Sequence, residues 1–177
     1  MNSNNYIFVN QNDKLEKSIQ ERIDNILVGV VGKLNYYSNY EIKRSGFNGG
    51  FIDSYMSLPK FNCGVEIKCT KSRGFEYDKQ LTQALAYHIL DPSLKVLILA
   101  SEKYFDYIIV SENKAVIKKY CKKYRRLLQK GGEEDFTPRT LGETHRTPSK
   151  QFKIHRHFID DGISILDVMQ EICGKFK

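Results

Sequence analysis

The apolar positions of the chain fall into alternating helical and extended periods. Leu15, Ile19, Ile23, Ile26 and Val30 recur at helical spacing, which predicts an amphipathic helix capped by Asn12 or Asp13 and stopped near Val31 by Gly32. Tyr40-Glu41-Ile42-Lys43 alternates as a first strand, and Ser45 to Gly50 makes a Gly-rich turn. Phe51-Ile52-Asp53 and Val65-Glu66-Ile67-Lys68 are β-branched or aromatic runs separated by a segment with Pro59, the pattern of a β-hairpin. Phe75 to Leu90 reads as a helix with an apolar stripe of Leu81, Ala84, Leu85 and Ile89, ended before Asp91-Pro92. The continuous apolar run Lys95 to Ala100 predicts a strand buried on both faces.

Beyond that run, Phe105 to Val110 fits either a short strand or the start of a helix. Glu112 to Gln129 predicts a helix with Val116, Tyr120, Tyr124 and Leu127 inward, and the polar stretch 130–150, with Pro138 and Pro148, predicts a long loop. Gln151 to Ile159 reads as a late strand with His155 and His157 on one face. Asp160 or Asp161 would cap a last helix from Ile163 to Cys173, with Ile165, Leu166, Met169 and Ile172 inward. The strand–helix–strand order implies an α/β fold, a central mixed β-sheet flanked by helices in a single domain.

The 177 residues carry a formal net charge of +7, which favours a polyanionic partner over an acidic protein surface. Much of that charge falls on the 112–129 helix, where Lys118, Lys122 and Arg125 are candidate phosphate contacts; Lys71, Arg73 and Gln80 lie after the hairpin in the same capacity. Cys63, Cys69, Cys121 and Cys173 form no C-x-x-C pair and no metal-ligand spacing, so free thiols in a reducing compartment are expected. With no apolar run of membrane-spanning length and no signal-peptide layout, the expectation is a soluble, cytoplasmic protein without a membrane partner.

The candidate chemistry lies in the hairpin. In a strand, alternate side chains share a face, so Glu66 and Lys68 project together and Asp53 reaches the same side from the partner strand. Two carboxylates in so small a volume repel unless a cation sits between them. Asp53 and Glu66, with the Ile67 carbonyl, make a hard oxygen set suited to Mg²⁺ or Mn²⁺, and Glu16, at the edge of the first helix face, is placed to point at a site in the protein. Gln80, Gln83 and Tyr87 form a polar row on the following helix, able to bond phosphate oxygens or orient reacting groups.

In order, a Gly-Gly-x-x-Asp strand, a Glu-x-Lys strand and a Gln83-Ala-Leu-Ala-Tyr87 helix resemble the PD-(D/E)xK nuclease superfamily, in particular its RecB-like and resolvase-like members. The resemblance spans Leu15 to Ser101, and Ile52 stands where the superfamily's signature has a proline. It implies a restriction-endonuclease-like core and Mg²⁺- or Mn²⁺-dependent hydrolysis of nucleic acid, DNA ahead of RNA. It further implies catalytic roles for Asp53, Glu66, Lys68, Gln83 and Tyr87, with Glu16 as an additional acidic ligand. A homodimer stays open. The alternatives are a non-catalytic nucleic-acid-binding module of the same fold, and a structural protein whose Glu-x-Lys is only a surface pair.

Overall fold

A computed structural model describes residues 11–69, 75–159 and 162–177. Helix α1, Gln11–Val31, ends at Gly32, whose φ of 84° lies in the left-handed region that a residue without Cβ adopts at little cost. Strands β1 (Tyr36–Ile42), β2 (Gly50–Ser57) and β3 (Asn62–Ile67) follow, then helix α2, Phe75–Leu90. Strands β4 (Leu94–Ala100) and β5 (Phe105–Ile109), and helices α3 (Lys114–Leu128), α4 (Pro138–Thr144) and α5 (Ile165–Gly174), complete the order.

The five strands form one mixed sheet in the order β1-β2-β3-β4-β5, antiparallel except for the β3–β4 pair. That parallel pair is joined through α2, the crossover that a continuous apolar strand after a helix implies. Two buried clusters face the sheet from opposite sides. Ile19, Ile23 and Leu27 of α1 and Val168, Met169 and Ile172 of α5 pack with Val65, Ile67 and Ile98. Leu81, Leu85 and Ile89 of α2, with Tyr124 and Leu128 of α3 and Leu141 of α4, pack with Ile52, Leu97 and Leu99.

Several faces differ from expectation. In α1 the third buried position is Leu27, and Ile26 is exposed; in α5 Val168 is buried and Leu166 is exposed. In α3 the buried stripe is Ile117, Tyr124 and Leu128, one residue on from Val116 and Leu127, which are only half-buried. The start of α5 is capped by Ser164, whose hydroxyl accepts from Asp167 N while the Asp167 carboxylate accepts from Ser164 N; Asp160 and Asp161 lie outside the described residues. Gln151 to Ile159 makes isolated bridges, His155 to Tyr107 of β5 and Phe158 to Tyr104 just before it, in place of a full strand, with His155 and His157 both stacked on the Tyr107 ring.

The largest departure is 130–150, where the chain forms α4 and a 3₁₀ turn at Ser149–Gln151. Seven residues with little apolar content become a helix because Thr137 closes a capping box with Thr140, Pro138 starts the first turn, and Leu141 is fully buried. Gly142 sits against α2: a Cβ there would fall 2.8 Å from Gln83 Cβ and 3.2 Å from the Lys79 carbonyl. We expect Gly142→Ala to lower stability by about 1–3 kcal/mol, read as a reduced urea midpoint at unchanged m-value. Among the described residues no helix is long and apolar enough to cross a membrane.

Candidate functional site: a cleft where the sheet forks

β2 keeps its ladder with β1 as far as the Ile42–Gly50 pair, and β3 keeps its ladder with β4 as far as Ile67–Ala100. Between β2 and β3, however, the ladder stops at Ser54–Val65. The sheet forks at Asp53 and Glu66, the next positions along that register. Alternation also breaks there. Ile52 and Tyr55 both belong to the α2-side core, whereas the Ser54 hydroxyl between them donates to Asp24 of α1 at 2.8 Å and Met56 packs on the α1 side. Opposite the break, Asn39 has a φ of 48°, the left-handed conformation that asparagine tolerates better than most residues. The backbone N–H of Ile67, released from the ladder, donates to Asp53 Oδ2 at 2.6 Å.

An open cleft of about 1450 Å³ occupies the fork, walled by α1, the β1–β2 hairpin, α2 and α4. Asp53, Glu66 and Lys68 line it together with Glu16, Gln83 and Tyr87. The Lys68 ammonium is 3.0 Å from Glu66 Oε1 and 3.8 Å from Glu16 Oε1. Glu66 is 1 % exposed; its Oε1 faces the Lys68 ammonium, and its Oε2 receives no hydrogen bond. Burial, then the nearby Asp53 charge, push the Glu66 carboxyl up to about 8 against the pull of Lys68. Burial likewise lifts Asp53 to about 6, although Lys68 and the Ile67 N–H favour its anion. For Lys68, burial acts to lower the pKa, but Glu66, Glu16 and Asp53 outweigh it and hold the ammonium above the usual lysine range.

The supporting residues are tied to backbone. Gln80 is fully buried; its Nε2 donates to the carbonyls of Glu66 at 2.8 Å and Ala100 at 3.1 Å, while its Oε1 accepts from the Tyr104 hydroxyl at 2.7 Å. The amide expected to meet a phosphate is therefore engaged inside the protein, clamping β3 to β4 beside Glu66. Tyr87 donates to the Phe51 carbonyl at 2.5 Å and accepts from Gln83 Nε2 at 3.4 Å, and both residues are buried where solvated flanks would be exposed. α4 and the sheet cover this polar row.

Residues not foreseen from sequence complete the walls. Gln20 lies one turn beyond Glu16 on α1 and donates to the Asp53 carbonyl at 2.8 Å; the i, i+4 spacing from Glu16 was the available signal. Lys79 of α2 and Arg139 of α4 also line the cleft, Arg139 carried by the helix that its polar sequence concealed. Lys118, Lys122 and Arg125 are exposed on α3 and do not line the cleft. Lys71 and Arg73 lie outside the described residues. Counted over the described residues, the cleft carries seven acidic and seven basic side chains.

A hard divalent cation fits part of this arrangement. Glu66 is a buried carboxyl whose Oε2 has no hydrogen-bond donor, Asp53 stands beside it, and oxygen is the donor type that Mg²⁺ and Mn²⁺ take. Among the described residues no three His, Cys, Asp or Glu side chains are already gathered as a metal-ligand group, so further positions would fall to the Ile67 carbonyl, water or a phosphate oxygen. Comparison of the chain with protein-family models, with curated proteins and with solved structures returned no match.

Proposed function

We propose that the protein is a metal-dependent nuclease with a restriction-endonuclease-like core, hydrolysing phosphodiester bonds of nucleic acid, DNA ahead of RNA. The observation that carries this reading is Glu66, a buried carboxyl with a lysine ammonium 3.0 Å from Oε1 and no donor to Oε2, beside a second raised carboxyl at the fork of the sheet. Desolvating such a group costs several kcal/mol, and strongly perturbed titratable groups in a cleft mark functional sites more often than structural ones.

Asp53, Glu66 and the Ile67 carbonyl, with Glu16 nearby, are the residues that would hold Mg²⁺ or Mn²⁺. The bound ion would supply Lewis acidity at the phosphate and a water of lowered pKa. The chain's own groups do the rest. Lys68, held charged by three carboxylates, places a cation where negative charge grows on the phosphoryl oxygens. Gln20 and Gln80 fix the backbones of Asp53 and Glu66. Tyr87 and Gln83 tie α2 to the Phe51 carbonyl on the far arm of the fork.

The non-catalytic module draws on a specific observation too: the Lys68 ammonium already faces Glu66 Oε1, and among the described residues no third acidic ligand is in place. A cleavage panel separates the two readings. Linear, circular, single-stranded and branched DNA, and RNA, are incubated with Mg²⁺ and with Mn²⁺. Ion-dependent cleavage of at least one substrate is the expected result, and binding without cleavage under either ion would establish the module instead.

A further inference from the structure

The chain's net charge of +7 equals the charge of one element. α3 contains seven lysines and arginines and no acidic residue, so the remainder of the sequence is electrically balanced, as the cleft is. Lys119, Lys122, Lys123 and Arg126 stand at i, i+3, i+4 and i+7, one row on the helix surface. All four are exposed, and with Leu127 and His145 they line a shallow groove of about 460 Å³. Among the described residues none of the four forms an ion pair. Lys119 and Lys123 lie over the rings of Tyr120 and Tyr124, at 5.3 and 5.9 Å from their centroids.

We propose that this row on α3, with His145, is a phosphate-backbone docking surface separate from the cleft, which holds nucleic acid by charge and requires no divalent ion. A lone row of unpaired cations about 10 Å long matches a length of duplex that carries about six phosphate charges. A lipid surface suits it less well, because Ile117, Tyr124 and Leu128 are committed to the core and Val116 and Leu127 are half-buried against it, which leaves no broad apolar face to enter a bilayer. α4 joins the two surfaces: Arg139 lines the cleft and His145 the groove, about 9 Å apart along the helix. A strand seated in both crosses α4, so the balanced cleft supplies chemistry and α3 supplies affinity.

The proposal does not depend on the cleft being catalytic, and its test keeps the two apart. Binding of fluorescein-labelled 30-mer DNA and RNA is measured in EDTA over 50–200 mM salt for the full chain and for Lys119→Gln/Lys122→Gln/Lys123→Gln/Arg126→Gln. The unmodified protein is expected to bind, and the quadruple variant to lose about 3–4 units of the log–log salt slope and about 100-fold in affinity at the lower salt. Each single Lys→Gln change should remove about one slope unit, which keeps the test valid if the quadruple variant fails to fold. Where cleavage is measurable, the α3 variants should raise KM and leave kcat unchanged, and a trinucleotide should be cut equally by both proteins. Three outcomes would overturn the proposal: no binding to either nucleic acid, unchanged binding by the single variants, or capture by phosphatidylserine vesicles in preference to the 30-mers. Binding that depends on α3 without cleavage would leave this surface standing and remove the nuclease reading.

Discussion

Glu66→Gln is expected to abolish ion-dependent cleavage, by about 10³-fold or more, while making the metal-free protein more stable. The first effect follows because the amide keeps the shape of the side chain but surrenders the anionic oxygen that a hard cation requires. The second follows from proton linkage. With its carboxyl raised by burial from 4.5 to about 8, Glu66 contributes a stabilising protonation that is complete below about pH 4.5. That contribution is lost as the pH climbs toward 8, because the unfolded chain ionises first. Glutamine never ionises, so the variant escapes the loss.

Lys68 retains Asp53 and Glu16 as partners, which limits the damage to its own environment. A gain of about 1–3 kcal/mol is expected at pH 8, shrinking toward zero at pH 4.5, measured as Tm against pH in EDTA. A variant that is inactive and unchanged in its pH–stability profile would mean that Glu66 is not held in a desolvated state. A variant that retains cleavage would remove the nuclease reading itself.

Gln80→Ala is expected to destabilise the fold by about 3 kcal/mol or more. The change empties a fully buried site and withdraws a donor from the carbonyls of Glu66 and Ala100 and an acceptor from the Tyr104 hydroxyl. Buried groups left short of partners cost about 1–3 kcal/mol each, and the cavity adds to that. Because the same amide holds the backbone of Glu66, the surviving folded protein should also cleave more slowly at unchanged nucleic-acid affinity. Urea unfolding gives the first quantity, and single-turnover cleavage against filter binding gives the second. A loss below about 1 kcal/mol would mean that water replaces the amide.

Much of the fold was legible because local and tertiary preferences agree. The bounds of α2, the β2–β3 hairpin, and the parallel β3–α2–β4 crossover follow from turn residues, from the Asp91-Pro92 stop and from a continuous apolar run. Asp53, Glu66 and Lys68 lie together because period-two alternation survives in β3. What escaped has physical causes. α4 is specified by a cap and one buried leucine, too little periodicity to register as a helix. Gln80 is buried against β3 and β4, and Gln83 and Tyr87 lie under α4, which comes from a distant part of the chain, so a polar row that reads as a wet flank is in fact enclosed. The face of α3 was misread by one position because Leu127 and Leu128, like Val116 and Ile117, are adjacent apolar residues that helical spacing alone cannot rank. The break in alternation at Asp53 has no signature in a four-residue run.

The fork itself sets how far apart the two carboxyls can stand. Asp53 rides on a ribbon zipped to β1, Glu66 on one zipped to β4, and across the gap the Ile67 amide hydrogen bond is the first link beyond the shared ladder. Each carboxyl is therefore carried on a differently paired ribbon, so the spacing between them follows from backbone pairing before any side-chain rotamer is chosen. On the nuclease reading, the fit of a cation to this gap is thus a property of strand register as well as of side-chain choice.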